Sequence, residues 1–274
     1  MSRDDDLLAR IAAALERLAP AAPAEADWLG APAYTWHGEA RAVATIGAPP
    51  LELLKGIDAQ KDRVCANVAR LARGHAAHDM LLWGARGMGK SALLRAAVIA
   101  AQHSAPGQLA LVQVAPEALS SLSTLFPALS AVPRQFVVFI DDLGFEEGDS
   151  SGPRALRSAL EGGVVARPVN VRLAVTANRR AIVPRHLSEQ DDPINPRDAI
   201  DDRLALADRF GLSIGFHSCS QDDYLAIVTG YCTAHGLDWD QAEALEWAKK
   251  RGARSGRVAW QFVTELAGCA GQQL

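Results

Sequence analysis

Apolar positions fall into two kinds of segment along the chain. Short, nearly unbroken runs occur at Met80-Leu81-Leu82-Trp83, Leu109–Val114, Phe136–Ile140, Val171–Thr176 and Leu212–Phe216. Runs of this length suit strands, and the lack of polar alternation in Phe136–Ile140 predicts burial on both faces. Elsewhere apolar residues recur at three- and four-residue spacing. That period predicts helices over Ala59–Arg73, Ala92–Ile99, Leu119–Leu129 and Arg154–Leu160. Gly74 follows the first of these where a helix-ending glycine belongs. Strands that alternate with helices predict an α/β fold with a parallel sheet covered on both sides.

From Gln221 onward only helical spacing remains, over Tyr224–Ala234, Gln241–Arg251 and Arg257–Ala267. At the other end Leu7, Leu8, Ile11, Leu15 and Leu18 predict an amphipathic helix, which stops at Pro20-Ala21-Ala22-Pro23. Residues 24–50 mix Trp28, Tyr34 and Trp36 with Gly and Pro, and are expected to form an extended, partly docked linker. The pattern thus divides the chain into a helix and linker (1–50), an α/β unit (51–217) and a small α-helical unit (218–274).

Chemistry enters at Gly84-Ala85-Arg86-Gly87-Met88-Gly89-Lys90-Ser91, which satisfies G-x-x-x-x-G-K-[ST] between a predicted strand and a predicted helix. Glycines allow the backbone N–H groups of this loop to curl around phosphate oxygens, and Ala92 continues into the positive end of the helix dipole. Lys90 is placed for the β- and γ-phosphates, and the Ser91 hydroxyl for Mg²⁺. The strand Phe136–Ile140 ends in Asp141-Asp142. There Asp141 is expected to hold Mg²⁺, directly or through water, and Asp142 to orient the attacking water.

Composition removes several alternatives. With 274 residues, 49% hydrophobic and 22% charged, the chain has material for a substantial core. A net charge of -4 provides no global attraction to nucleic acid or anionic membrane. Cys65, Cys219, Cys232 and Cys269 are scattered without C-x-x-C pairing, and neither His75 and His78 nor His217 and Cys219 have a second ligand pair at suitable spacing. No apolar run approaches the ~20 residues of a membrane span. The first residues are acidic where a secretory signal would be basic, so a cytoplasmic protein is expected.

The order of phosphate loop, Phe136–Asp142 and Thr176-Ala177-Asn178 resembles the AAA+ ATPases. Leu82–Gly87, Asp141–Asp149, Leu160–Gly163, Val175–Arg180 and Asp208–Leu212 are similar in particular to the bacterial DUF815 family, over about Leu51 to the C-terminus. This resemblance implies an αβα sandwich with a parallel five-stranded sheet of order 5-1-4-3-2, followed by an α-helical lid. It assigns Asn178 to sensor 1, Gly56 and Ile57 to the adenine pocket, and Arg257 to sensor 2, with Arg254 as the alternative. Arg209 falls where a finger acting on a neighbouring subunit belongs, in competition with Arg203.

Two departures accompany the match. Many relatives carry Asp-Glu where this chain has Asp141-Asp142, which leaves Glu146 as another base. Arg86 and Met88 occupy the loop, the latter where Thr is commoner. The implied activity is hydrolysis of Mg-ATP to ADP and phosphate at sites shared within a homo-oligomer, driving remodelling of an unidentified protein client. A switch or loader that hydrolyses only with a partner or DNA is the alternative, kept open by the Asp-Asp pair. Lys249, Lys250, Arg251, Arg254 and Arg257 form a basic run that sensor 2 plus a solvated helix face explains more simply than nucleic-acid binding.

Overall fold

The computed structural model describes residue 10 and residues 26–144, 151–161, 167–178 and 206–274. The amphipathic helix expected at residues 7–18 therefore lies outside the described residues, as do Glu146 and Arg203.

All five apolar runs are strands: β3 (Met80–Gly84), β4 (Leu109–Val114), β5 (Gln135–Ile140), β6 (Val171–Ala177) and β7 (Leu212–Phe216). They pair in parallel in the order β7-β3-β6-β5-β4, which is 5-1-4-3-2 in order of occurrence. The sheet is wider than expected, with seven strands rather than five. Both additions come from the supposed linker. In it β1 (Ala33–Trp36) lies parallel to β4, and β2 (Ala40–Val43) turns back antiparallel to form the edge.

Side-chain anchoring explains why so short a hairpin holds. Trp28, Tyr34 and Trp36 are buried, with Trp28 packed on Tyr34 at 4.8 Å and edge-on to Phe136 at 6.0 Å. The Tyr34 hydroxyl donates to the Asp27 carbonyl at 2.6 Å, and the Trp36 indole donates to Ser121 Oγ at 2.7 Å. Arg134, itself buried, donates to the carbonyls of Trp28, Ala31 and Leu109, which ties the incoming chain to the sheet. Each bond thereby gives a buried polar group the partner it needs.

Helices α1 (Asp58–Ala72) and α2 (Lys90–Ser104) cover one face of the sheet, and α3 (Leu122–Ser130) and α4 (Ser151–Glu161) the other. As the sequence predicts, α1 stops at Gly74. The φ there is +73°, His75 N–H donates to the Arg70 carbonyl and Gly74 N–H to that of Leu71, a Schellman closure. The C-terminal helices are α5 (Gln221–His235), α6 (Gln241–Lys250) and α7 (Gly256–Cys269), each started by a side-chain cap, from Ser220, Asp240 and Ser255 respectively. Their buried residues, among them Tyr224, Val228 and Phe262, continue the core of the α1/α2 face through Leu54 and Ile57. This junction sets the helical unit over the carboxyl ends of the strands.

Candidate nucleotide-binding site

The loop between β3 and α2 is held by its neighbours. Gly84 has φ +130°, and a Cβ added there would stand 2.0 Å from the Phe216 carbonyl oxygen, so only glycine lets β3 and β7 approach this closely. Ala85 N–H donates to the same carbonyl at 3.0 Å. Gly87 and Gly89 both adopt left-handed φ, of +73° and +85°, and α2 begins directly at Lys90. The Gly87 carbonyl accepts from Arg257 N–H at 3.3 Å, so the loop is bonded to the first turn of α7.

Lys90 is buried, and its Nζ donates to the carbonyls of Gly84 and Ala85, each at 2.9 Å. Burial pushes its ammonium pKa down; the charges of Asp142 and Asp141 oppose that shift, while Arg257 and Arg86 add to it. Ser91 Oγ donates to Asp141 Oδ1 at 2.5 Å, and Thr176 Oγ1 donates to the same oxygen at 2.6 Å. Thr176 Oγ1 in turn accepts from Asp142 N–H at 2.7 Å, and Asn178 Nδ2 donates to Asp142 Oδ1 at 2.5 Å. A carboxylate flanked by hydroxyls is the hard oxygen set that suits Mg²⁺, so Ser91 and Asp141 fit the ion.

These groups face a cavity of about 880 Å³. Arg86, Gly87, Met88, Gly89, Lys90, Ser91 and Ala92 line it, together with Asp141, Asp142, Asn178 and Arg257. The sequence-predicted residues thus come together from four separate segments. Gly56 and Ile57 differ from expectation, because they stand behind the cavity rather than in its wall. Ile57 is buried, its Cδ1 3.6 Å from where a Gly89 Cβ would be, and Gly56 sits against Asp223. Gly84 and Ala85 likewise support the loop from below without lining the cavity.

Sequence reasoning missed Gly47, Ala48, Pro49, Leu54, Tyr231, Trp260, Thr176 and Arg95 among the lining residues. Of these, Thr176 and Arg95 carry a local signal, two residues before Asn178 and one helical turn after Ser91. The rest are assembled by tertiary packing. Arg254 is exposed and does not line the cavity. In the basic run Lys250 pairs with Glu246 at 2.8 Å, and Arg251 lies over the Trp247 ring at 3.4 Å.

Arg209 is elsewhere. It precedes β7, whereas the phosphate loop follows β3, so a strand length of about 17 Å separates the two ends. Its Nε donates to Glu161 Oε1 at 2.6 Å, and it borders a separate cavity of about 360 Å³ shared with Asp79, Arg167 and Arg172.

Strand order, loop geometry and paired acidic strand end together define a P-loop fold of the AAA+ type. The chain matches, over residues 30–270, the family described as "Protein of unknown function (DUF815)", and it belongs to that family. Its fold is similar to that of the Thermotoga maritima RuvB Holliday junction branch migration motor, with 18% identity, a TM-score of 0.53, and 81% of this chain and 66% of RuvB covered. A singly substituted form of the same RuvB gives 17% identity and a TM-score of 0.56 over 81% and 66%. The Aeropyrum pernix ORC1 protein, solved in complex with DNA, gives 18% and 0.50 over 75% and 57%. The chain therefore spans about two thirds of the length of RuvB. None of the curated proteins matches it in sequence.

Proposed function

We propose that this protein binds Mg-ATP in the cavity above the phosphate loop and hydrolyses it to ADP and phosphate. One observation carries the reading: Asp142 is held at the cavity by Asn178 and Thr176, facing Lys90, while the adjacent Asp141 is bonded to Ser91. That juxtaposition supplies an anchor for the β- and γ-phosphates, an oxygen pair for the ion, and a separate carboxylate for water. When bound, Mg²⁺ would neutralise charge that develops on the phosphate oxygens. Asn178 keeps the Asp142 carboxylate oriented, and Arg257 adds positive charge from the helical unit.

Arg209 is too far from its own loop to assist in cis, which fits a finger offered to a neighbouring copy in a homo-oligomer. Hydrolysis would then reorient the helical unit through the Arg257–Gly87 backbone bond and act on a protein client. The alternative, a switch that hydrolyses only with a partner or DNA, is favoured by one detail. Asn178 already occupies a carboxylate oxygen of Asp142, so a partner that draws Asn178 away would release the base.

Phosphate release with Mg-ATP, followed across a protein concentration series with and without duplex DNA, tests this. Specific activity is expected to rise with concentration, and Lys90→Ala to lose it along with nucleotide binding. A wild-type protein that binds ATP yet releases phosphate only with DNA present would shift the assignment to the switch. No binding at all would end both readings. Among the described residues no helix is long and apolar enough to cross a membrane.

A further inference from the structure

Trp260 is one of the few large apolar side chains left substantially exposed among the described residues, at 38%. The exposed part borders the nucleotide cavity. It lies three positions after Arg257, which places both on one face of α7, about 4.5 Å apart along the axis. Behind the indole, Tyr231 packs at 4.9 Å between ring centroids with a 62° interplanar angle, and His235 follows at 6.0 Å. Tyr231 is itself 8% exposed and lines the same cavity, so a buried ring holds the indole edge-on at the cavity wall. Gly47, Ala48 and Pro49 line the same cavity.

Resting on the ATP reading above, we propose that Trp260, backed by Tyr231, is the platform on which the nucleobase stacks. Phosphates are fixed at the loop, and Arg257 lies between the loop and Trp260. The sequence of groups along the wall therefore follows the sequence phosphate, sugar, base. An indole face offers a flat, polarisable surface without hydrogen-bond selectivity, which suits a purine because of its larger π-face. The Gly47–Pro49 segment lines the same cavity. Ligand binding would thus bridge the phosphate loop and the middle of α7, and not merely its first turn.

Equilibrium binding of ATP and of inorganic tripolyphosphate to the full chain tests the platform. Trp260→Ala is expected to weaken ATP binding by about 5- to 150-fold, the range for loss of a base–aromatic stack, and to leave tripolyphosphate affinity within about 2-fold. Trp260→Phe keeps a ring and should retain most of the ATP affinity. It should also lose the indole-emission change that ATP produces in the wild type. Unchanged thermal midpoints for both variants would certify that α7 remains packed. Equal weakening of ATP and tripolyphosphate, or ATP binding by Trp260→Ala that matches wild type, overturns the platform. Wild-type protein that binds neither ligand overturns the ATP reading as well. ATP binding that depends on Lys90 but not on Trp260 overturns the platform alone.

Discussion

Asp142 has φ +50°, the only positive value of a non-glycine residue among the described residues. Asp and Asn tolerate this left-handed region, whereas other residues pay about 1–2 kcal/mol there. The left-handed conformation therefore falls at the residue assigned to water, held in place by Thr176 and Asn178. It follows that Asp142→Asn should preserve stability and nucleotide affinity while phosphate release falls about 10²- to 10⁴-fold. Asp142→Ala should lose the same activity and, in addition, about 1 kcal/mol in urea denaturation. Lys90, Ser91, Asp141 and Asp142 were legible because each lies within a local pattern whose chemistry requires that residue at that offset. Tyr231, Trp260 and Gly47–Pro49 carry no such pattern. They become wall residues only when α5, α7 and the chain after β2 pack over the strand ends.

At the scale of elements, the loop owes its shape to close backbone contact as much as to its own sequence. Gly84→Ala would add strain at φ +130° and drive a methyl into the Phe216 carbonyl, so a loss of about 3 kcal/mol or more is expected. Gly107 is the control, with φ +76° and nothing within 4 Å of an added Cβ. Its alanine variant should lose only about 1 kcal/mol. Urea denaturation of the pair separates conformational strain from the collision at β7; similar losses would show that the β3–β7 approach is not tight. Strands β3 to β7 were readable because nearly unbroken apolar runs leave little other use for such segments. The β1–β2 hairpin was not, since its four-residue strands are too short for a period to register. What makes them strands is distant: the Arg134 guanidinium, the β4 edge and the burial of three aromatic rings.

Across the whole molecule, the phosphate loop and Arg209 lie at opposite ends of adjacent strands. Parallel pairing forces this: every βα turn that can bind phosphate is at the carboxyl edge, while a residue preceding β7 is at the amino edge. If Arg209 serves a neighbour's site, Lys90→Ala and Arg209→Ala damage different halves of each shared interface. Each variant alone should then release little phosphate. A mixture of the two should regain activity, because some interfaces join an intact loop from one chain to an intact Arg209 from the other. Random assembly of an equal mixture gives about a quarter of such interfaces, so recovery toward about one quarter of wild-type activity is expected where the finger acts in trans. Arg209→Ala should still bind ATP, which distinguishes it from Lys90→Ala. Should the mixture stay as inactive as its components while both variants assemble, Arg209 would be left with the role its bond to Glu161 already gives it, that of joining the end of α4 to the start of β7.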